Sequence, residues 1–340
     1  MKGLVTAPPG RNATTKLSAV APCYDEAAVL VEFHRRMSTA LSTVTDDYEM
    51  VLVNDGSSDG SWPVLLSLAA EDPHVVAINL SRNHGHQLAL TAGLAYCRGE
   101  RIFIIDADLQ DPPELLSEMM ALCDGGADIV YGKRRSRAGE SIFKRLTAFL
   151  FYRVLNLFTD QHIPEDTGDF RLITRRVLDV LNSMPENHRF IRGMISWVGF
   201  KQVPFLYDRS PRFAGETKYQ LRKMLRFALD AITSFSVRPL RLAFYAGGIL
   251  CVFSIFLLVF SIGAYFVDRT IRGWTSIMAV MLFFLAAQFL VLGLIGEYVG
   301  RLYMETKHRP LFIVENVVAG GQPVAHSTVP ESGIRAGHGS

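Results

Sequence analysis

The stretch Arg101-Ile-Phe-Ile-Ile-Asp-Ala-Asp-Leu-Gln-Asp-Pro-Pro113 decides the fold. It begins as an apolar run of strand length and ends on carboxylates instead of an ordinary polar turn. In extended backbone, Asp106 and Asp108 would point to one face, and Gln110 would add an amide oxygen there. Three hard oxygen donors suit Mg²⁺ or Mn²⁺, and magnesium usually combines one or two carboxylates with substrate phosphates. The stretch therefore predicts a cation site for a diphosphate ligand, with a plain aspartate-capped loop as the alternative.

Strand and helix patterns alternate through the first half of the chain. Apolar strands are predicted at 17–22, 48–53, 75–80, 101–106 and 128–131. Helices are predicted up to about Leu41 and then at 88–97, 114–122 and 141–158. This alternation predicts an α/β fold, with a mostly parallel, doubly wound sheet that has helices on both faces.

Two loops between these elements carry candidate binding residues. Asp55 follows the second strand in a Gly-rich polar turn, where an aspartate can accept hydrogen bonds from a base or ribose. The alternative is a turn that only caps the next helix. His84 and His86 follow the third strand, and they are either metal ligands or polar loop residues.

The apolar content indicates a membrane protein. Of 340 residues 49% are hydrophobic, and the mean hydropathy is +0.20. Two runs without a charged residue, 242–267 and 273–296, are each long enough to cross a bilayer core of about 30 Å. We predict a two-helix transmembrane hairpin; a pair of buried core helices is the alternative. Basic residues flank the hairpin on both outer sides, which places both flanks in the cytoplasm.

The remaining composition bounds the organisation and the partners. A net charge of +2 is not typical of a nucleic-acid-binding surface. Four scattered cysteines fit reduced thiols in the cytosol. We predict a catalytic domain at 17–218, an amphipathic interfacial helix at 219–240, a hairpin region at 241–300 and a cytoplasmic juxtamembrane segment at 301–318. Tails at 1–16 and 319–340 are expected to lack order.

The motifs, taken in order, resemble the inverting nucleotide-sugar glycosyltransferases of family 2. They are Tyr24-Asp25-Glu26, Asn54-Asp-Gly-Ser-Ser-Asp-Gly60 and Asp106-Ala-Asp-Leu-Gln-Asp-Pro-Pro113. Together with Gly168-Asp-Phe-Arg-Leu172, Arg212-Phe-Ala-Gly-Glu-Thr-Lys218 and the apolar runs, they resemble the polyprenyl-phosphate hexose synthases. The resemblance spans roughly 16–316. It implies an A-type glycosyltransferase fold, which is Rossmann-like.

The resemblance also implies roles for individual residues. Nucleotide-sugar binding falls to Pro22, Tyr24, Glu26, Asp55, Asp106, Arg212 and Lys218. The metal on the donor diphosphate is held by Asp106, Asp108 and Gln110. The acceptor phosphate is bound by Arg134 and Arg145. Asp169, favoured over Asp166 by the Gly-Asp-Phe-Arg match, is either a base or a group that orients the acceptor; an ion pair with a nearby arginine is the structural alternative.

The function that the resemblance implies is transfer of one hexose to a polyprenyl phosphate. UDP-glucose is the expected donor, undecaprenyl phosphate the expected acceptor, and Mg²⁺ or Mn²⁺ the expected cofactor. The expected location is the bacterial inner membrane with a cytoplasmic catalytic domain, and a homo-oligomer is expected. Two alternatives stay open: a transferase that extends a polysaccharide or glycolipid, and a non-catalytic membrane scaffold. The absence of a Gln-x-x-Arg-Trp sequence counts against the first, and the intact acidic motif against the second.

Overall fold

The computed structural model describes residues 15–135, 167–187, 189–208, 274–307 and 309–324, with scattered positions between 240 and 259. Its strands are β1 (Leu17–Cys23), β2 (Tyr48–Asn54), β3 (Val75–Leu80), β4 (Arg101–Ile104), β5 (Ile129–Arg134), β6 (Thr167–Thr174), β7 (Gln202–Tyr207), β8 (Val314–Ala319) and β9 (Gln322–Pro323). Its helices are α1 (Leu30–Val44), α2 (Ser61–Glu71), α3 (His86–Tyr96), α4 (Leu116–Asp124), α5 (Arg175–Ser183), α6 (Ile191–Val198) and α7 (Trp274–Thr306). A short 3-10 turn, Pro113–Leu115, precedes α4.

The strands form one sheet in the order β7-β5-β6-β4-β1-β2-β3-β8-β9. β1 lies parallel to β2 and β4, β2 lies parallel to β3, and β5 lies parallel to β7. β6 runs antiparallel between β4 and β5, so β5 keeps the direction of β4. The predicted α/β fold with a mostly parallel sheet is confirmed. The carboxyl ends of β1 to β5 therefore share one edge, where open α/β sheets bind ligands.

Burial explains why the first strands form the centre of this sheet. Every residue of β1 is buried, as is every residue of β3, which is typical of strands that are covered on both faces. α3 covers β1 and β2 at very short range, because a Cβ on Gly93 would lie 2.4 Å from Val20 Cγ1 and 3.0 Å from Val53 Cγ2. Glycine at this position thus lets the helix that begins with His86 approach the strands closely.

The carboxylate motif departs from extended backbone earlier than expected. β4 ends at Ile104, and Asp106 and Asp108 lie at the turn that follows it. Leu109 has a φ of 57°, a left-handed backbone conformation that residues other than glycine rarely adopt. The argument that Asp106 and Asp108 share the face of a strand is therefore wrong, and the turn places them instead.

The apolar helix α7 belongs to a second compact unit of the chain. Its residues Phe283–Thr306 form a 24-residue stretch of mean hydropathy 1.7, and none of the side chains described there is buried. Length and composition make it a candidate membrane span, which overlaps the predicted run 273–296. Most of the predicted run 242–267, and nearly all of the predicted interfacial helix 219–240, lie outside the described residues. The two-helix hairpin remains a prediction.

The C-terminal segment returns to the sheet, which the sequence analysis did not predict. β8 pairs antiparallel with β3, and Ile313 accepts a hydrogen bond from the Ser81 N–H at 2.9 Å. The structure thus differs from the expectation of a juxtamembrane segment up to 318 and disorder from 319. A chain of side-chain hydrogen bonds starts at the new strand: Asn79 donates to Glu315 at 2.8 Å, and Asn54 donates to Asn79 at 2.7 Å.

Candidate active site

The loops after β1 and β2 interlock at the ligand-binding edge. The Asp55 N–H donates to the Cys23 carbonyl at 2.9 Å, directly joining the two strand ends. Asp25, with a φ of 53°, accepts a hydrogen bond from the Ser58 N–H at 2.8 Å. Pro22 is buried within β1, Tyr24 is exposed and Glu26 is half-buried. The structure therefore brings the predicted nucleoside-site residues of these two loops to one edge.

Asp55 has a second, structural task at this edge. Its carboxylate is 2% exposed and accepts hydrogen bonds from the His84 N–H at 2.7 Å and the Gly85 N–H at 2.9 Å. Burial raises the pKa of Asp55, and the two N–H donors oppose that rise. Gly56, the residue after Asp55, packs closely on the loop after β3, since a Cβ on Gly56 would lie 2.5 Å from the Arg82 carbonyl carbon. Asp55 thus fixes the loop after β3, and its predicted contact with a nucleoside remains a prediction.

Asp106, Asp169 and His86 meet at the centre of the edge. β6 pairs with β4 up to Ile104 and Arg171, and Asp106 and Asp169 each lie two residues beyond that last pair. His86, the first residue of α3, places Nε2 3.4 Å from Asp106 Oδ1 and 3.1 Å from Asp169 Oδ2. One ligand atom from each of the three residues lies within 4.8 Å of the others. The sequence analysis left the role of His86 open, and the structure places it in the candidate site.

Asp169 is the most tightly held carboxylate of this group. It is 1% exposed and receives hydrogen bonds from Arg192 Nε at 2.7 Å and Arg192 Nη2 at 3.1 Å. Gln87 Nε2 donates to Oδ2 at 3.1 Å. Burial alone would raise the pKa of Asp169, but Arg192 and His86 hold it well below its usual range. The side chain is thus an ionised carboxylate with a fixed orientation.

Asp106 has the opposite electrostatic environment. Burial raises the pKa of Asp106 to about 6; His86 opposes the rise, and the carboxylates of Asp169, Asp111 and Asp108 add to it. Burial alone would lower the pKa of His86, but the hydrogen bond to Asp169 and the charge of Asp106 raise it to about 9. The site therefore concentrates negative charge around Asp106, which favours a bound cation.

The donor set around Asp106 fits a divalent cation. Asp106 Oδ1 is buried and forms no hydrogen bond within the described part of the chain, although His86 Nε2 lies 3.4 Å away. The neighbouring Asp108 accepts a hydrogen bond from the Gln110 N–H at 3.1 Å, which shapes the turn beside Asp106. The carboxylate and amide oxygens are compatible with both Mg²⁺ and Mn²⁺. Asp169 is less suited to metal ligation, because Arg192, Gln87 and His86 occupy its oxygens.

Arg134 lies beside the same site at the end of β5. A Cβ on Gly168, the residue before Asp169, would lie 3.8 Å from Arg134 Nη2 and 3.9 Å from Asp111 Oδ2. The hydroxyl of Tyr207 donates a hydrogen bond to Asp111 Oδ1 at 2.6 Å. Burial raises the pKa of Tyr207, and the nearby Arg134 opposes that rise. The guanidinium of Arg134 therefore lies next to the carboxylate cluster.

The remaining predicted site residues are Arg145, Arg212, Lys218 and the alternative base Asp166, and all four lie outside the described residues. Conversely, the sequence analysis missed Gln87 and Arg192. A sequence signal for them is weak, because a glutamine after a histidine pair and an arginine in an apolar helix resemble ordinary surface residues. Only the fold brings them to Asp169.

The fold is an α/β sheet with a buried carboxylate cluster at its carboxyl edge. Residues 18–181 match the family model described as "Glycosyl transferase family 2". The chain is 48% identical over 304 residues to the "Uncharacterized glycosyltransferase YkcC" of Bacillus subtilis, covering 88% of this chain and 93% of the relative. This chain belongs to glycosyltransferase family 2, as the motifs predicted.

Two further relatives have more specific names. The "Prophage bactoprenol glucosyl transferase homolog" of Escherichia coli K12 is 38% identical over 308 residues, covering 89% of this chain and 99% of the relative. The "Bactoprenol glucosyl transferase" of Shigella phage SfV is 37% identical over 307 residues, covering 88% of this chain and 98% of the relative. The chain therefore matches these relatives over nearly their whole length, including the part beyond the family model.

Proposed function

We propose that this enzyme transfers one hexose, with inversion, from a nucleotide sugar to a polyprenyl phosphate at the cytoplasmic face of a bacterial inner membrane. UDP-glucose is the proposed donor and undecaprenyl phosphate the proposed acceptor. The observation that carries the proposal is the carboxylate cluster of Asp106 and Asp169 with the adjacent Arg134. The names of the two bactoprenol glucosyl transferase relatives support the choice of acceptor and sugar.

The chemistry follows from the charges of the two reactants. An oxygen of the acceptor phosphate attacks C1 of the hexose, the bond from C1 to the donor diphosphate breaks, and the nucleoside diphosphate leaves with the electron pair. A phosphate monoester has a second pKa of about 6, so it is largely dianionic at neutral pH and needs no proton removal. The firm hold on Asp169 supports an orienting role over that of a base.

Positive groups would balance the negative charge of both phosphate-bearing substrates. Arg134 is proposed to bind the acceptor phosphate through two parallel hydrogen bonds. Asp106, Asp108 and Gln110, with His86 beside them, would hold a divalent cation. When bound, that cation would supply positive charge to the diphosphate as a Lewis acid. The loop 212–218 is proposed to contribute Arg212 and Lys218 to the donor.

The path of the chain supports a membrane hairpin. The chain leaves the sheet after Tyr207 and rejoins the same sheet at Val314. A chain that starts and ends in one domain on one side of a bilayer crosses that bilayer an even number of times. If Phe283–Thr306 is one crossing, a second is required between 208 and 314, and the apolar run 242–267 is the proposed partner. Such an anchor would keep the site near an acceptor whose tail stays in hydrocarbon.

The proposal is tested by incubating the purified full-length protein with radiolabelled nucleotide sugars and undecaprenyl phosphate. Labelled hexose should appear in a solvent-extractable lipid, and UDP-glucose should give the highest rate in a panel of donors. A preference for another nucleotide sugar would correct the donor alone. Label that enters only polysaccharide would instead support the extending transferase, and an absence of transfer with every donor would reject the proposal.

Replacing Arg134 with lysine should raise the KM for polyprenyl phosphate about tenfold, because lysine cannot reproduce the two-pronged hydrogen bonding of a guanidinium. The KM for the nucleotide sugar should stay within about twofold of the wild type if Arg134 serves the acceptor only. Initial rates over a grid of both substrates measure the two constants. Arg135→Lys is the matched control, since Arg135 is exposed and pairs with Asp208 at 3.6 Å. Equal losses for both substrates would assign Arg134 to the donor diphosphate.

A further inference from the structure

The hydrogen bonds on Asp169 come from elements that are far apart in the sequence. His86 and Gln87 lie at the start of α3, whereas Arg192 lies in the first turn of α6, 23 residues after Asp169. Arg192 Nε donates to Asp169 Oδ1, and Arg192 Nη2 donates to Asp169 Oδ2. This two-pronged geometry fixes the plane of the carboxylate, which a single hydrogen bond would leave free to rotate.

Gln87 joins the two elements directly. Its amide nitrogen donates to Asp169 Oδ2 at 3.1 Å, and its amide oxygen accepts the Ile191 N–H at 2.9 Å. The Ile191 N–H is one of the donors that the start of a helix leaves without a partner inside that helix. Gln87 therefore satisfies the start of α6 and, with the other end of the same amide, the carboxylate that Arg192 binds.

Asp169 in turn contacts the residue that lies against the candidate metal site. His86 Nε2 is 3.1 Å from Asp169 Oδ2 and 3.4 Å from Asp106 Oδ1. His86 is 44% exposed at its side chain, so packing alone does not fix its ring. The orientation of the imidazole toward Asp106 depends on the orientation of Asp169. Contacts thus run without a gap from Arg192 through Asp169 and His86 to Asp106.

We propose that Arg192 is a positioning residue of the active site, which locks Asp169 so that Asp169 can aim His86 at Asp106, and that Gln87 holds the Arg192 helix in register for this task. The inference rests on the proposed function only for the identity of the substrates. Its physical basis is that outer residues which orient ligands of a metal commonly change metal affinity and activity when they are replaced.

The test compares Arg192→Lys and Arg192→Ala with the wild type in the full-length protein. Lysine keeps the charge and loses the two-pronged geometry, so kcat should fall about tenfold, while alanine should lower it about 100-fold. The KM values for donor and acceptor should change less than about threefold, since Arg192 is not assigned to either substrate. Added guanidinium ion should raise the kcat of Arg192→Ala at least about tenfold, because the ion can bind beside Asp169 where the arginine side chain was removed.

A second measurement does not depend on transfer. The affinity for Mn²⁺ in the presence of UDP, measured by electron paramagnetic resonance, should weaken about tenfold in Arg192→Lys. This measurement tests the inference separately from the proposed function. If the wild-type protein binds Mn²⁺ but transfers no hexose to lipid, the proposed function is rejected. The Mn²⁺ affinities of Arg192→Lys and the wild type then decide the positioning inference.

Arg176→Lys is the matched control. Arg176 also pairs with a buried carboxylate, Asp128, which is 5% exposed and lies outside the candidate site, but both of its nitrogens contact a single oxygen. Its replacement should leave kcat and Mn²⁺ affinity within about twofold of the wild type. The inference is overturned if Arg192→Lys keeps wild-type kcat and Mn²⁺ affinity, or if its losses equal those of Arg176→Lys. Should Arg192→Ala fail to fold, the lysine variant alone decides.

Discussion

Replacing Asp106 with asparagine is expected to lower kcat for sugar transfer by about 100- to 1,000-fold. The reason is that Asp106 supplies a buried oxygen, Oδ1, at the point where negative charge from four carboxylates is most concentrated. An asparagine keeps the shape and removes the charge that would hold a divalent cation. Thermal stability should not fall, because the substitution also removes repulsion among Asp106, Asp108, Asp111 and Asp169.

The rate loss and the melting temperature should be measured on the same preparations, with and without added Mn²⁺. Asp124→Asn is the matched control. Asp124 lies on α4, its side chain is 69% exposed, and its oxygen Oδ1 is 3.9 Å from Arg101 Nη2, which is a long distance for an ion pair. Wild-type transfer that is undiminished in EDTA would contradict the metal assignment, even if Asp106→Asn were inactive.

Replacing Asp169 with asparagine should affect both stability and activity. The substitution leaves Arg192 opposite a neutral amide, and breaking one partner of a buried ion pair costs about 3–5 kcal/mol. Because Arg192 is 28% exposed at its side chain, water will offset part of that cost, and we expect a loss of about 2–3 kcal/mol in the free energy of unfolding. kcat should fall by at least about 100-fold, since His86 loses its fixed partner.

The pH dependence of this variant separates the two roles of Asp169. If Asp169 orients groups, the ratio of variant to wild-type kcat should change with pH only through His86, whose pKa of about 9 falls when its partner becomes neutral, and should then level off. If Asp169 is a base, hydroxide will replace it progressively, and the ratio should rise with pH. Asp128→Asn provides the comparison for stability, because it breaks the Arg176 pair away from the site. An unfolding free energy equal to the wild type would show that the Arg192 pair contributes nothing.

Much of the fold was predictable because its strands are buried on both faces. Continuous apolar runs identify such strands, and the predicted bounds 48–53 and 75–80 differ from β2 and β3 by at most one residue. The strand–helix alternation also fixes the direction of successive strands, because a connection that crosses the sheet through a helix brings the chain back parallel. Because the strands were predicted to be parallel, their carboxyl ends were expected to lie at one edge of the sheet, which is where open α/β sheets bind ligands.

The features that the sequence did not reveal depend on contacts between distant segments. β6 has an antiparallel direction that no local pattern encodes, and pairing with β4 in that direction carries the chain of β6 to the edge where Asp106 lies. The same holds for His86, whose neighbours Asp106 and Asp169 are 20 and 83 residues away in the chain. The turn at Asp106 was missed for a different reason: Leu109 adopts a left-handed conformation that leucine seldom takes.

The position of β8 has a consequence for the biosynthesis of the enzyme. The β3 edge exposes unpaired backbone groups until β8 arrives, and the bond from Asn79 to Glu315 spans 236 residues of chain. Ribosomes synthesise the chain from its N-terminus, so α7 is made before β8 and β9, the last strands of the sheet. A nascent chain that stops short of Val314 presents an open strand edge, which is prone to pairing with other chains. The nine-stranded sheet can therefore be completed only after translation has passed α7.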